Sequence, residues 1–562
     1  MDEFEDLLRR MQVIGVNHLP VAAALCRRMG LIETVDRVVP TGMAVGVGTV
    51  VQGMVLDTLS GRSPLYRLEE FFEHQDSRLL LGAEVPASAF NDTTVARAMD
   101  ALYEAGAGKV FSEVAYQATR RFPTDLRTVH WDSTSVNVWG DYRDAGAGSD
   151  GLAITHGYSK DHRPDLKQFL LDVLCAGRNV PLLGGCHDGN ASDKALNNTL
   201  LTRISRDLAR YGLGPGDWLY VADSALVTEE NLSQMGDNLF VTRLPFSYAE
   251  TARAVAAAVA AGAWQEVGAL AETPAAVGRP AAQYRLAEKQ VELYGRSYRA
   301  LVVHSSAHDN RRLKAIERQL RQEAEALTAL CSRLSRREYF CRADAEAEAL
   351  RLQAQGGKLH RVETTVVETL RHPPGRPPKD RPRPVTSVRY RVQAAPQPDA
   401  ARIARQREEA GCFVLLTNVP REGARSRSGP DLLNAYKDQH AIERNFSFLK
   451  DPLIVNDLFL KKPGRIEALG AILLISLLVW NLIEQCLRQH VEQTGRPLPG
   501  WDRKDTLRPT TFMMTTKFAG LQIVRIGRIY RLAQPLRSDQ AAYLRALGLT
   551  LDDLLPVTTG PP

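Results

Sequence analysis

Two aspartates and a glutamate carry the chemistry this chain could do. Asp132, in His-Trp-Asp-Ser-Thr, and Asp223, in Val-Ala-Asp-Ser-Ala, each follow an apolar run and precede small or hydroxylated residues. Acids so placed read as strand-end aspartates, which project from the edge of a sheet where ligand sites commonly form. Each also has a plainer reading as a turn former or helix cap. Glu443 falls in a stretch that reads as one helix, residues 436–450, with Gln439, Glu443 and Lys450 within about 60° of Tyr436. Ile442, Phe446, Leu449 and Leu453 form an adjacent apolar stripe that can dock this helix on a core. Three carboxylates brought together repel unless cations neutralise them. A pair of Mg²⁺ ions about 3.5–4 Å apart, for which Mn²⁺ can substitute, would do so and create a phosphoryl-transfer site.

The elements that must position these acids follow from periodicity. Residues 126–140 are rich in β-branched and aromatic side chains, as a strand should be. Strands are also expected over 168–176, 181–189, 218–225 and 239–245, with helices over 193–211 and from about Thr228. This order suggests a mixed sheet covered by helices. Residues 1–120 read as short helices, either a helix-turn-helix-like DNA reader or a packed helical domain without groove contacts. From about Ser247 to Ala410 the pattern departs from the sheet layout. A helix is expected over 250–264, a hairpin or strand pair over 291–306, and two amphipathic helices over 310–355, broken around 338–341. Those two helices suit either a partner subunit or an internal hairpin. Strand character returns at 412–418. The simplest organisation is a core interrupted by a large insertion; a separate middle domain is the alternative.

Bulk properties limit the function classes. The net charge is +6, and residues 357–391 alone hold nine Lys/Arg against three acids, which favours a polyanionic partner. Seven scattered cysteines with no Cys-x-x-Cys pair argue against a disulfide framework and a zinc site and fit a reducing cytoplasm. The acidic start, Met-Asp-Glu-Phe-Glu-Asp, is unlike a signal peptide. The apolar run 468–483 is shorter than the roughly 20 residues of a membrane span and carries Asn481, so a buried core helix is the better reading. A cytoplasmic protein with no membrane association is expected.

Together the residues resemble a DDE transposase of a bacterial insertion sequence, from the branch with a large insertion before the glutamate. That branch carries Tyr-x2-Arg-x3-Glu-x6-Lys. Here Tyr436, Glu443 and Lys450 match it, while Gln439 stands where the family has Arg. The blocks VHWDSTSV, GYSKDHRPDLKQF, ADSALVTEENL and FVTRLP are also similar, and the resemblance spans roughly residues 10–530, including the C-terminal Arg508-Pro-Thr-Thr. It implies an α/β, ribonuclease-H-like mixed sheet with flanking helices, interrupted by an α+β insertion and preceded by a helical N-terminal domain. The boundaries expected are 1–120 (helical, possible end binding), 121–246 (first part of the core), 247–410 (insertion), 411–490 (second part) and 491–562 (C-terminal region). It implies that Asp132, Asp223 and Glu443 bind two Mg²⁺ ions and that Tyr436, Gln439 and Lys450 meet transposon-end DNA. Gln439 lacks the charge and bidentate fork of the family's arginine, so end binding should be weaker or differently placed. Partners would be double-stranded DNA, both terminal inverted repeats and target, with a homodimer forming to synapse two ends.

Further candidates carry two readings each. Residues 158–165, with Lys160 and Arg163, suit a DNA-contacting loop beside Asp132 or a solvated connection. His187, Asp188, Asn190 and Asp193 could bring another acid to the site, or form a turn capped at Ser192 or Asp193. Pro374-Gly-Arg376-Pro-Pro-Lys379 suits a minor-groove hook or a Pro-rich linker. His130 reads as structural. The activity expected is DNA cleavage followed by joining of the 3′-OH to target. A structure-specific nuclease and a catalytically lapsed DNA-binding regulator are the alternatives.

Overall fold

Alternating β-branched and aromatic residues from Thr128 onward build the first long strand of a mixed α/β fold. The computed structural model describes residues 5, 9–61, 67–139, 142, 151–159, 163–270, 281–307, 310–376, 381–439, 445, 448–449, 460 and 462–555. These fall into two compact units, 1–242 with 422–425 and 435–562, and 243–421 with 426–434.

In the first unit a short strand, β1 (Met11–Gly15), pairs antiparallel with Gln522–Ile526 near the other end of the chain. The main sheet contains β2 (Thr128–Val138), β3 (Lys167–Ala176), β4 (Val180–His187), β5 (Leu219–Ala222) and β6 (Leu239–Leu244), in the order β4-β3-β2-β5-β6. Pairing is antiparallel from β4 through β2 and parallel from β2 through β6. One face carries the helix Asp193–Ala209, whose Asn197 accepts a hydrogen bond from the buried Tyr220 hydroxyl on β5.

The other face is covered by the helix Pro463–Thr494, which Pro463 opens and the left-handed Gly495 ends. This helix is long and apolar enough to cross a membrane, but 89% of its most apolar window is buried inside the protein. At about 1.5–3 kcal/mol per large apolar side chain, its eleven buried Leu and Ile residues contribute heavily to the core of this unit. It approaches β4 closely because both surfaces offer glycine: a Cβ on Gly470 would sit 2.4 Å from the Cys186 sulfur, and one on Gly184 would sit 2.9 Å from Leu474. The N-terminal helices pack around it, and Arg465 in its first turn forms a two-pronged ion pair with Asp100 at 2.7 Å. The helix Val47–Ser60 is buried along almost its whole length, so that element cannot lie in a DNA groove.

The second unit has a four-stranded sheet, in which β7 (Gln265–Ala269), β8 (Gln283–Leu293) and β9 (Arg296–Ser305) form an antiparallel run. A short β10 (Glu338–Tyr339) and a long hairpin of β11 (His360–Arg371) and β12 (Ser387–Pro398) make a separate three-stranded sheet. The strand β13 (Cys412–Thr417) completes the first of these sheets by pairing with β9. The helices Asn310–Leu334 and Arg342–Ala354 pack on the three-stranded sheet through Leu327, Cys331, Ala345, Ala349 and Leu352.

One stretch left without an element by periodicity gains one here, and one sequence expectation needs correction. The basic Pro-rich stretch 357–391 is mostly the β11–β12 hairpin, in register from His360–Pro398 to Arg371–Ser387. Its strand alternation was masked by the proline and arginine content. The single helix expected over 436–450 is interrupted: a helix runs Gly429–Asp438, and Gln439 lies in a turn. The Gln439 amide bonds to the Tyr436 carbonyl, three residues back, at 3.3 Å. Such a bond tightens and ends a last helical turn.

Candidate active site

Register alone brings two of the three acids together. In the parallel pair, Thr128, Val129 and His130 of β2 stand beside Leu219, Tyr220 and Val221 of β5. Continued by two residues, that register sets Asp132 beside Asp223, one strand spacing away, about 4.8 Å. Asp132 is not a strand-end residue. It lies inside β2, opposite Val173 of β3, because the Ser-Thr-Ser-Val-Asn-Val that follows keeps pairing with β3. It is β5 that stops at Ala222, so the sheet has a step here, with Asp223 on its edge. Side-chain alternation puts both aspartates on the face covered by the Pro463–Thr494 helix.

Local bonds orient them. One Asp132 oxygen accepts from the Ser133 amide at 2.8 Å. Asp223 caps the short Ser224–Leu226 turn, accepting from the Ala225 amide at 2.9 Å, and its carbonyl is held by the Thr242 hydroxyl on β6. The capping role and the sheet-edge role therefore coexist at Asp223. The Tyr220 phenol is pushed well above its ordinary range, by burial first and then by the charges of Asp223, Asp172 and Asp132. Beside Asp132 on the same face, His130 is buried and burial drives its pKa down to about 4. The ring is neutral, and its Nδ1 has no hydrogen-bond partner among the described residues.

A second polar cluster occupies the opposite face. Asp172 accepts from the Trp131 indole at 3.0 Å and the Gly185 amide at 2.7 Å, and lies 3.0 Å from His187 Nε2. Burial pushes the Asp172 carboxyl up, but its bonds to His187 and Trp131 outweigh that and hold it below the usual range. Burial alone would lower the His187 pKa, but the Asp172 contact raises it. Asp193 accepts from the Ser133 hydroxyl, Asp188 accepts from the Ala153 amide, and Ser192 caps the helix that follows. Asp193 thus comes close to β2, but on the face opposite Asp132. The lone acid in the apolar run Phe-Leu-Leu-Asp172-Val-Leu was the signal for this cluster.

The other candidates are dispersed. Tyr436 and Gln439 are half-buried at the end of one helix. The Arg163 guanidinium grips Asp165 at 2.7 Å and lies 5.3 Å from the centre of the Trp139 ring, while Tyr158 is 84% exposed. Arg376 is exposed in the turn joining β11 and β12. There the Arg383 guanidinium donates to the carbonyls of Pro373 at 2.9 Å and Gly375 at 3.0 Å. Glu443, Lys450, Lys160 and Lys379 lie outside the described residues. Among the described residues no group of three or more His, Cys, Asp or Glu is placed to hold a metal ion.

One residue near Glu443 in the chain is firmly anchored. Asn445 is buried and donates to Cys175 Sγ at 3.3 Å and to the Asn179 carbonyl at 3.2 Å, while accepting from Asn481 at 3.0 Å. Cys175 stands opposite His130 in the β2–β3 pairing. Burial pushes its thiol well up, Asn445 opposes this, and the Asp132 charge adds to it. Composition and periodicity gave no sign of Asn445, which looks like any polar residue on a helix.

A family model described as Domain of unknown function (DUF4277) matches residues 11–116. No curated protein matches the chain. Among solved structures it is similar to one described as "Mos1 transposase paired-end complex with left transposon end", with 14% identity and a TM-score of 0.14, over 35% of this chain and 58% of that one. A likeness that slight carries no argument.

Proposed function

We propose that this chain is a DNA transposase that cleaves the ends of a mobile element and joins the freed 3′-OH ends to target DNA. The observation that carries the reading is the β2–β5 register, Thr128–His130 against Leu219–Val221, which when continued by two residues would bring Asp132 beside Asp223. The Glu443 and Lys450 spacing from Tyr436 supports it. In this reading residues 121–246 and 411–490 form a ribonuclease-H-like core, 247–410 an insertion, and 1–120 and 491–562 flanking regions.

Support for Glu443 as the third carboxylate comes from Asn445. Two residues of chain span at most about 7 Å, and Asn445 is fixed on Cys175, whose thiol feels Asp132. The donor set is all carboxylate oxygen, which suits Mg²⁺ or Mn²⁺ rather than zinc. Asp132, Asp223 and Glu443 would hold two such ions, which supply activation of the attacking oxygen and charge stabilisation on the leaving one. The protein's part would be to fix Asp132 and Asp223 at the step in the sheet and to exclude water with the apolar helix on that face. Tyr436, Gln439, Lys450, Lys160 and Arg163 are the proposed contacts near the ends. Arg376 and Lys379, between β11 and β12 in the chain, are the proposed contacts in the minor groove. Two chains would pair to hold two ends.

The test mixes the full chain with a duplex bearing the element's terminal repeat, a target plasmid and Mg²⁺. Joined product is the outcome expected. Cleavage without joining would make it a structure-specific nuclease, and binding with neither would make it a lapsed regulator.

A further inference from the structure

A cavity of about 270 Å³ opens in the first unit between β4 and the helices Ala107–Arg121 and Asp193–Ala209. Its polar lining is Lys109, Ser112, Arg203, Arg206, Arg210, Tyr211 and a single carboxylate, Asp207. Four cations therefore face one acid. Asp207 does not satisfy them: it lies 3.9 Å from Arg203 and 3.6 Å from Arg206, beyond hydrogen-bonding distance. Arg210 is partly neutralised by Glu113, which it shares with Arg37. Arg203 Nε and the Tyr211 hydroxyl are buried with no hydrogen-bond partner among the described residues. Burial pushes the Tyr211 phenol well up, so it remains a neutral donor. A buried donor without an acceptor costs about 1–3 kcal/mol, and here two such donors sit among guanidinium groups that Asp207 and Glu113 neutralise only in part.

We propose that this cavity is a binding pocket for a phosphate group. A phosphate brings several strong acceptor oxygens, matches the guanidinium fork, and offsets the local positive charge. The group has two possible sources: a backbone phosphate of duplex DNA, or free phosphate. The pocket lies at the β4 edge, two strands from Asp132, and does not rest on the function proposed above.

Isothermal titration of the full chain with inorganic phosphate, at fixed ionic strength in chloride, tests one arm. Anisotropy of a labelled random-sequence duplex across a salt series tests the other. Arg203→Gln with Arg206→Gln is expected to weaken phosphate at least tenfold, and Tyr211→Phe about threefold to tenfold with no change in charge. If the duplex affinity falls too and its log–log salt slope drops by about 1, the source is the DNA backbone. If only inorganic phosphate is affected, the source is free phosphate. Wild-type-like binding of both probes by the variants overturns the proposal, as does wild-type chain that takes up no phosphate while its duplex binding ignores the substitutions. Should the double variant lose its circular dichroism spectrum, Arg206→Gln, at a side chain 79% exposed, and Tyr211→Phe decide the question alone.

Discussion

Acidification should weaken the first unit through His130, and the size of the effect follows from its burial. The ring is neutral in the fold, with its pKa at about 4 against an ordinary value of 6.5. The unfolded chain therefore takes up a proton between pH 6.5 and 4 that the folded chain refuses. The folded value is depressed for a base, so this contribution is fully present above pH 6.5, falls as pH drops, and levels off below about 4. At about 1.4 kcal/mol per pH unit, the loss is about 3 kcal/mol. His130→Leu removes both the titration and the unpaired Nδ1 at similar size, so it should be close to neutral at pH 7.5. By pH 4 the variant should have gained about 3 kcal/mol on the wild type. Urea unfolding followed by tryptophan fluorescence measures this in a Trp264→Phe background, because the other five tryptophans all lie in the first unit. Stability curves that stay parallel from pH 7.5 to 4 would show that His130 is not held neutral by burial.

Three further perturbations have distinct outcomes. Arg525→Ala leaves the buried Asp76 carboxylate without the guanidinium now 2.8 Å away, and should cost about 3–5 kcal/mol in chemical denaturation; the remaining Tyr530 and Leu79 bonds cannot neutralise it. Asn445→Leu removes the bonds to Cys175, Asn179 and Asn481 and should cost about 1–3 kcal/mol. In a strand-cleavage assay its activity should fall more than tenfold while circular dichroism is unchanged. Arg383→Lys keeps the charge of the β11–β12 tip but loses the reach and planar geometry of the guanidinium, one terminal nitrogen of which donates to both the Pro373 and Gly375 carbonyls. Affinity for an A·T-rich duplex should drop about threefold to tenfold in a binding titration, with melting temperature unmoved.

What could be read from sequence was what local periodicity controls. The strands β2 to β6 and the helix Asp193–Ala209 announced themselves through β-branched alternation and a capping serine. The buried helix Pro463–Thr494 did so through the apolar run 468–483, which marks its middle but not its ends. What depends on a neighbour was not legible. Asp132 looks terminal in its own segment, and only the shorter β5 beside it shows that the step in the sheet lies at Asp223. Asp193 approaches β2 from the wrong face, a fact set by the parity of Ser133 against Asp132. The apolar spacing after Tyr436 runs straight through Gln439, where a three-back hydrogen bond ends the helix instead. Asn445 acquires its importance only from Cys175 and Asn481, each distant in sequence.

A shared divalent-metal site at Asp132, Asp223 and Glu443, as proposed, should be visible in a calorimetric titration of the full chain with Mn²⁺. Asp132→Asn, Asp223→Asn and Glu443→Gln should each weaken Mn²⁺ binding at least tenfold, whereas Asp193→Asn, on the opposite face, should not. Wild-type Mn²⁺ affinity in Glu443→Gln would rule out the shared site.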